Sequence, residues 1–530
     1  MIDKPAAPMN RRSLFKLIGA VAGSAVMYQA MSELGHAGES GYAGPIPLKG
    51  DVKGASVLIL GAGVAGMSAA LELRNAGYKV QVLEYNDRPG GRNWSLYGGD
   101  TYTELGGFTQ HVQFAEGLYL NPGPWRIPYH HRALLDYCKR LKVALEPFTQ
   151  VNYAAYLHSA KAFGGKPQRY REVQADFNGH VGELLAKAAN QSRLDESVSR
   201  EDKEVLLEAM RDWGALDKNY EYKKSLLVSE RRGYLSDPGG GLTSDSVDSD
   251  PLAFHDLMQS RLWSSISAGH VYEFQSSIFQ PVGGMGMIGK AFGRELGPLI
   301  QYNAKVTEIK QDGRGVTVAY QDTQGGGAKV AQADWCICTI PASILSQIPI
   351  TVGAPMKAAI DALYYDSAIK VGLQFKRRFW EQDESIYGGI SFTDLPNALI
   401  GYPNSRYFDD GPGVLLGAYT FGANSFQYAA LSPEDRIKKT LEYGSQIHPQ
   451  YKTEFQHGVA VAWHRVPWTL GCAGHWTDEL RAKHYDDLCA IDGRIVLAGE
   501  HASRLPAWQE GALLSSLDAI RRLHERVLAG

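Results

Sequence analysis

The 530-residue chain lacks most of what would mark a specialised class. Its five cysteines, Cys138, Cys336, Cys338, Cys472 and Cys489, are too scattered for a two-plus-two metal spacing and suggest no disulfide scaffold. They read as buried thiols acting as small hydrophobes, and no metal site is expected. Charge of one sign is missing: 54 Lys+Arg stand against 57 Asp+Glu, a net charge of -3, which argues against a nucleic-acid binder working through a basic face. Shares of 44% hydrophobic and 21% charged residues exclude extended disorder. No apolar run reaches the roughly 20 residues of a membrane span, and there is neither an internal repeat nor a low-complexity tract. Glycine is in surplus, with 58 residues, about 11% against an average near 7%. Extra glycine serves tight turns and close backbone approach. The length alone predicts three or four packed units.

At the N-terminus, Asn10-Arg11-Arg12-Ser13-Leu14-Phe15-Lys16 precedes an apolar run from Leu17 to Met27. A charged region followed by a short apolar one has signal-peptide character, and the paired arginines resemble a twin-arginine export signal. Gly35-His36-Ala37 offers a small-x-small cleavage site, so residues 1–37 are expected to be a signal for export of a folded protein. The alternative is an N-terminal arm retained on a cytoplasmic protein.

The first folded unit opens with a buried strand, Ser56-Val57-Leu58-Ile59-Leu60, then Gly61-Ala62-Gly63-Val64-Ala65-Gly66, then a helix to about Asn75 and a second strand, Lys79 to Leu83, closing on Glu84. This is the dinucleotide fingerprint in its proper context. Gly61 permits the turn, Gly63 lets backbone approach a pyrophosphate, and Gly66 lets helix and strand pack closely. Phosphates would sit at the helix N-terminus, with Val64 and Ala65 beside them. Glu84, eighteen residues beyond Gly66, places a carboxylate on ribose hydroxyls and disfavours a 2′-phosphate. The stretch from about Arg132 to Phe274 is charged and helical in spacing, with a loop over Asp237 to Asp250. Strand patterns return from Gln301 to Ile340, with a turn at Gln311-Asp312-Gly313-Arg314. A last buried strand around Arg494 to Glu500 leads to a final helix from about Glu510 to Leu528.

Further glycine pairs follow the fingerprint, at Gly90-Gly91-Arg92 and at Glu104-Leu105-Gly106-Gly107. The C-terminal segment carries Gly499-Glu500 and Pro506-Ala507-Trp508-Gln509-Glu510-Gly511-Ala512. Together these resemble the flavin-dependent amine oxidase superfamily, over about residues 51–130, 275–405 and 455–530. The resemblance implies FAD as cofactor and an α/β fold with an α+β substrate domain. Its parts would be a discontinuous Rossmann-like FAD-binding domain (51–105, 275–340 and 461–530), a mixed-sheet substrate-binding domain (106–131 and 341–460) and a helical insert (132–274). It also implies that Glu500 meets the ribityl–phosphate arm, that Arg92 reaches the phosphates, and that the backbone of Val306 meets the adenine. Gly107, Gly123, Gly511 and Ala512 would lie against the cofactor, and the final helix would aim its N-terminus at the isoalloxazine. Gly90, Gly91, Gly106, Gly283, Gly284 and Gly499 lie in segments expected near cofactor or substrate.

Asn121-Pro122-Gly123-Pro124-Trp125-Arg126-Ile127-Pro128 resembles a segment of the L-amino-acid oxidases, in which the arginine pairs with the substrate carboxylate. A guanidinium is the best planar partner for a carboxylate. The competing reading of Arg126 is a structural or flavin-phosphate arginine. Asp394 to Pro403 matches a segment with two tyrosines before the proline. Here they are Gly401 and Tyr402, so Tyr402 is expected to donate to the same carboxylate, and Gly401 to widen the pocket. Packing is the competing role for Tyr402. Lys370 resembles the family lysine that holds a water at flavin N5, against the alternative of a strand lysine with its head in solvent. Trp463, Ala507 and Trp508 are expected to wall the site. The activity implied is oxidation of an L-amino acid by hydride transfer from Cα, giving an imino acid, then a 2-oxo acid and ammonia, with dioxygen reduced to hydrogen peroxide. An amino-acid 2-monooxygenase and a monoamine or polyamine oxidase stay open as alternatives. The expected partners are a small amino acid, dioxygen and a second copy of the chain in a homodimer.

Overall fold

The computed structural model describes residues 40–191 and 199–529; the expected export signal lies outside them. β1 (Ser56–Leu60), α1 (Val64–Asn75) and β2 (Lys79–Leu83) open the first layer. β1 is a continuous apolar run because it is covered on both faces, as parallel strands between helices are. It lies between β2 and the strand Trp335–Cys338, with Leu58 opposite Gln81 on one side and Cys336 on the other. Ile495–Leu497 extends the sheet in parallel beyond Trp335–Cys338, and Ile491–Asp492 closes that edge in the antiparallel sense. One sheet therefore gathers residues from 56 to 497. α1 is small or apolar up to Leu71 and buried as far as Leu73, because it lies between this sheet and the C-terminal helix Gln509–Ala529, and its one buried charge, Glu72, is paired with Arg140. The hydroxyls of Ser68 and Ser516 meet at 3.0 Å where the two helices cross.

Beside this sheet Ala304–Gln311, Val316–Asp322 and Gly327–Ala333 form an antiparallel meander. Its first turn is the expected one, with the Asp312 carboxylate accepting from the N–H groups of Arg314 and Gly315. The third strand comes from a stretch too exposed for a hydrophobic pattern to mark.

The second layer is a seven-stranded sheet. Ala368–Phe375, buried along its whole length, runs antiparallel between Gly413–Phe421 and Phe455–Ala462. Tyr156–His158 and Gln168–Arg169 join the far side of this sheet, although residues 132–274 read as one helical insert. Strands of two or three residues carry no periodicity to recognise. α2 (Arg132–Arg140) also leaves the insert: Ala133, Leu134, Tyr137 and Cys138 join the core of the first layer. Its N-terminus is held by the Glu510 carboxylate, which accepts from Ala133 and Leu134 N–H at 3.0 and 2.8 Å. An anion placed there satisfies otherwise unpaired donors and the helix dipole. The insert proper gathers the helices Tyr170–Asn190, Arg200–Gly214, Leu226–Arg232 and Phe254–Ser260. No helix among the described residues is long and apolar enough to cross a membrane.

Candidate active site

Three cavities share walls and make one path through the molecule. The largest of the three, about 650 Å³, lies over the β1–α1 turn and is lined by Gly61, Gly63, Glu84, Arg92 and Val306 among others. Each fingerprint glycine has its own reason for being there. Gly61 has φ +103°, a conformation costly for other residues. A Cβ on Gly66 would lie 2.0 Å from the Gly61 carbonyl oxygen, whereas one on Gly63 would meet nothing within 4 Å. The space above Gly63 is therefore open at the start of a helix with no acidic residue in its first turn and no side-chain cap, which favours an anion. Glu84 is buried and accepts from Ala62 N–H at 2.6 Å and from Asn86 N–H at 2.8 Å. Burial pushes its carboxyl up against the pull of those donors.

Through Gly63, Arg92 and Thr339 this cavity continues into a slot of about 130 Å³, whose walls include Val64, Ala65, Gly123, Trp463, Glu500, Trp508 and Ala512. Arg92 and Glu500 form an ion pair at 2.7 Å in its wall. Burial would raise the Glu500 carboxyl, but the Arg92 guanidinium and neighbouring donors hold it below the usual range. The Glu500 carboxylate also accepts from Ala507 N–H at 3.0 Å, fixing the turn in which Ala507 has φ +67°. A non-glycine residue in that region is strained, a condition that clusters at functional sites. Trp463 is held by donation from Nε1 to the Pro122 carbonyl at 2.8 Å, and Trp508 stands edge-on to His131 at 4.9 Å. Gly511 does not line the slot. It lets the C-terminal helix approach closely, since a Cβ there would lie 1.9 Å from the Leu505 carbonyl oxygen.

The slot opens past Tyr419, Ala507 and Trp508 into a third cavity of about 150 Å³, walled by Trp125, Arg126, Phe274 and Phe421 as well. Arg126 is buried, with its guanidinium carbon 4.1 Å from the Phe274 ring and 5.5 Å from that of Trp125. Lys370 lies just behind this wall. Its ammonium donates to the carbonyls of Gly123 at 2.5 Å and Asn121 at 3.2 Å and sits 4.3 Å from the Tyr419 ring. Burial, with Arg126 nearby, lowers its pKa to about 7. Lys370 and Tyr419 are direct partners across neighbouring strands.

The structure thus brings Arg126, Ala507 and Trp508 to one cavity, with Lys370 against its wall, but not Tyr402. The Tyr402 hydroxyl is enclosed in the core, 2.7 Å from Ser391 Oγ and 2.6 Å from His448 Nε2, while His448 Nδ1 meets Glu384 at 3.0 Å. Tyr419 is the tyrosine on the Arg126 cavity. Gly107 also departs from expectation: with Gly106 it forms the exposed turn between Thr101–Thr103 and Thr109–His111, and neither glycine lines the three cavities, although Leu105 of the same turn borders the one over the β1–α1 turn. That hairpin is anchored by Glu104, which pairs with Arg436 at 2.6 Å, both fully buried. Gly283 and Gly284 pack against Met287, Ser95 and Tyr119 instead of facing the path. The pocket is not widened by Gly401, because the Trp125 indole occupies the space: a Cβ there would lie 2.4 Å from the ring. Two wall groups carried no sequence signal, Phe274 at the end of the insert and the Asp366–His475 pair, which meets at 2.9 Å. One described cluster has metal-ligand composition, the buried His130, His131 and Glu273. His131 Nε2 meets the Glu273 carboxylate at 2.9 Å.

An L-amino acid oxidase of Bothrops pictus is 30% identical over 474 residues, 87% of this chain and 89% of that protein. An L-amino-acid oxidase of Bungarus fasciatus is 28% identical over 478 residues, 88% and 86% of the two chains. Among solved structures, a putrescine oxidase with bound putrescine matches at TM-score 0.57 and 19% identity, covering 90% of this chain and 99% of that one. Cyclohexylamine oxidase from Brevibacterium oxydans IH-35A matches at TM-score 0.58 and 17% identity, covering 89% and 99%. These two show the shared fold. The sequence profile of the flavin-containing amine oxidoreductases matches residues 64–524, and the chain belongs to that family.

Proposed function

We propose that the protein is an FAD-dependent oxidase of L-α-amino acids. The observation that carries this reading is Arg126, a buried guanidinium between aromatic faces on a cavity that opens into the nucleotide path. A simple amine has no use for such a group; a carboxylate does. The path itself fits FAD. Open space over Gly63 at the α1 N-terminus suits a pyrophosphate, and Glu84 and Val306 would hold the adenosine end. Arg92, Gly123, Trp463, Glu500, Ala507, Trp508 and Ala512 would hold the flavin end. When bound, the flavin accepts a hydride from the substrate and passes two electrons to dioxygen, yielding hydrogen peroxide. The protein's part is binding and orientation: Arg126 would fix the carboxylate, Tyr419 borders the same cavity and would add a donor, and the aromatic walls would exclude water and restrict rotation about Cα. The nucleophile and proton traffic of a hydrolase are not required, since the imino acid formed hydrolyses in water to a 2-oxo acid and ammonia. Export of the folded protein, supported by Arg11-Arg12 and the apolar run after them, is part of the same proposal.

The test is a peroxide assay across the twenty L-amino acids, several D-amino acids and simple amines, with ammonia and carbon dioxide measured. Peroxide and ammonia from L-amino acids support the reading. Peroxide from amines alone would overturn it, and an amide with carbon dioxide, in place of ammonia and peroxide, would identify a decarboxylating monooxygenase.

A further inference from the structure

Trp125 stands between two cavities. On one side is the Arg126 cavity; on the other is a smaller one of about 70 Å³, with Gln280, Arg378, Asn404 and Leu416 in its walls. The indole meets Phe148 and Tyr419 edge-to-face, with centroids 5.3 and 6.2 Å away, and lies 5.6 Å from the Lys370 ammonium. The ring fits only because residue 401 is glycine: a Cβ there would lie 2.4 Å from Cζ2 and 2.6 Å from Cη2, both too close for any real contact. The side chain missing from position 401 and the large one at 125 thus share one volume.

We propose that Trp125, seated in the notch left by Gly401, is the specificity-determining partition of the substrate cavity. Arg126 is its chain neighbour and the anchor for the carboxylate, so the distance from the guanidinium to the indole, 5.5 Å from carbon to ring centroid, limits how far a substituent on Cα extends in that direction. Behind the partition lies space already lined by polar groups. Arg378 there is buried and engaged with Glu381 and the Ser405 carbonyl. Removing the indole joins the two cavities and admits long side chains that the intact protein rejects. The inference rests on the amino-acid oxidase reading for the identity of the substrate, though the partition itself is a property of the walls.

The experiment uses the holoenzyme and a homologous series of straight-chain L-α-amino acids, from alanine to 2-aminooctanoic acid. For an apolar wall each added methylene raises kcat/KM about fourfold until the chain meets the indole, beyond which the value falls. Trp125→Ala is expected to move that break at least two methylenes longer, Trp125→Phe by less, and Gly401→Ala to move it shorter by forcing the indole into the cavity. Each variant is checked for its flavin absorbance, so that Trp125→Phe and Gly401→Ala decide the matter if Trp125→Ala does not hold cofactor. An unchanged break in every flavin-bearing variant would overturn the partition. If the wild type oxidises no amino acid, the functional reading fails by itself. The same variants are then run on n-alkylamines, where a displaced break sustains the partition and an unmoved one removes it.

Discussion

Replacement of Arg126 by alanine gives the sharpest test of the site. Arg126 is 5% exposed and its guanidinium is flanked by the rings of Phe274 and Trp125, so a carboxylate meeting it is shielded from water. Truncating one partner of such a desolvated, hydrogen-bonded charge pair costs about 2 to 5 kcal/mol, which at 1.36 kcal/mol per tenfold corresponds to a factor of roughly 30 to 5,000. The loss should fall mainly on KM for amino acids, since the pair forms on binding and persists through the reaction. Flavin content should not change, because Arg126 lies on the substrate cavity and is not part of the slot walls. Arg126→Lys keeps the charge but loses the planar fork, and should fall between wild type and alanine. Turnover of a simple amine, however slow, should be unaffected or improved by Arg126→Ala. The assay is steady-state peroxide release with amino acid and amine side by side, and the absorbance spectrum as control for bound flavin. Unchanged amino-acid KM in a folded, yellow Arg126→Ala protein would refute the carboxylate assignment.

Four further outcomes are expected. Tyr419→Phe should raise KM for amino acids about tenfold or more, the worth of one hydrogen bond to a charged group. Tyr402→Phe should leave KM alone and lower stability by about 1 to 2 kcal/mol in denaturant unfolding, because Ser391 and His448 lose their shared partner; the opposite pattern would restore Tyr402 to the site. Gly63→Ala should fold with unaltered apoprotein stability yet hold flavin weakly, since its Cβ enters only the open space of the cofactor path, whereas Gly66→Ala should be destabilised outright by collision with the Gly61 carbonyl; equal thermal stability of the two apoproteins would contradict this. Lys370, with its pKa lowered to about 7, binds fewer protons folded than unfolded between about pH 7 and 10.5, so stability rises with pH across that window. The stability of wild type relative to Lys370→Met should therefore improve from pH 7 toward pH 10, by at most about 4 to 5 kcal/mol, and a flat difference would show that the amine titrates normally.

The nucleotide end of the site was legible because each of its residues acts through local backbone geometry. Gly61 must turn, Gly66 must let the helix close on the strand, and Glu84 must end the neighbouring strand; all three lie within one strand–helix–strand unit. The fold class was legible for the same reason, since the continuous apolar runs at Ser56–Leu60 and Ile495–Leu497 announce strands covered on both faces. The substrate end depends on strand register. Tyr419 reaches the site because its strand places it opposite Lys370, a pairing of residues about fifty apart that no local pattern contains. Tyr402 carried the stronger motif, but it immediately follows the strand Leu399–Gly401, and its ring enters the core beside His448. The glycine pair at 106 and 107 forms an exposed hairpin turn, which needs glycine for its own backbone as much as a cofactor site does.

Gly401 carries this reasoning one step further. Read alone, a glycine where the resemblance implies tyrosine means a larger pocket. Packing density forbids that inference, because interiors close around lost volume or refill it, and here a tryptophan 276 positions earlier fills it. On this proposal the reach of the Arg126 cavity depends on Trp125 and Gly401 together, because they share one volume. A double change, Gly401→Tyr with Trp125→Ala, should accordingly be tolerated far better than Gly401→Tyr alone. The measure is a double-mutant cycle on unfolding free energy, whose coupling term should exceed the few tenths of a kcal/mol found for independent sites. A coupling term near zero would mean that the two side chains do not compete for the same space.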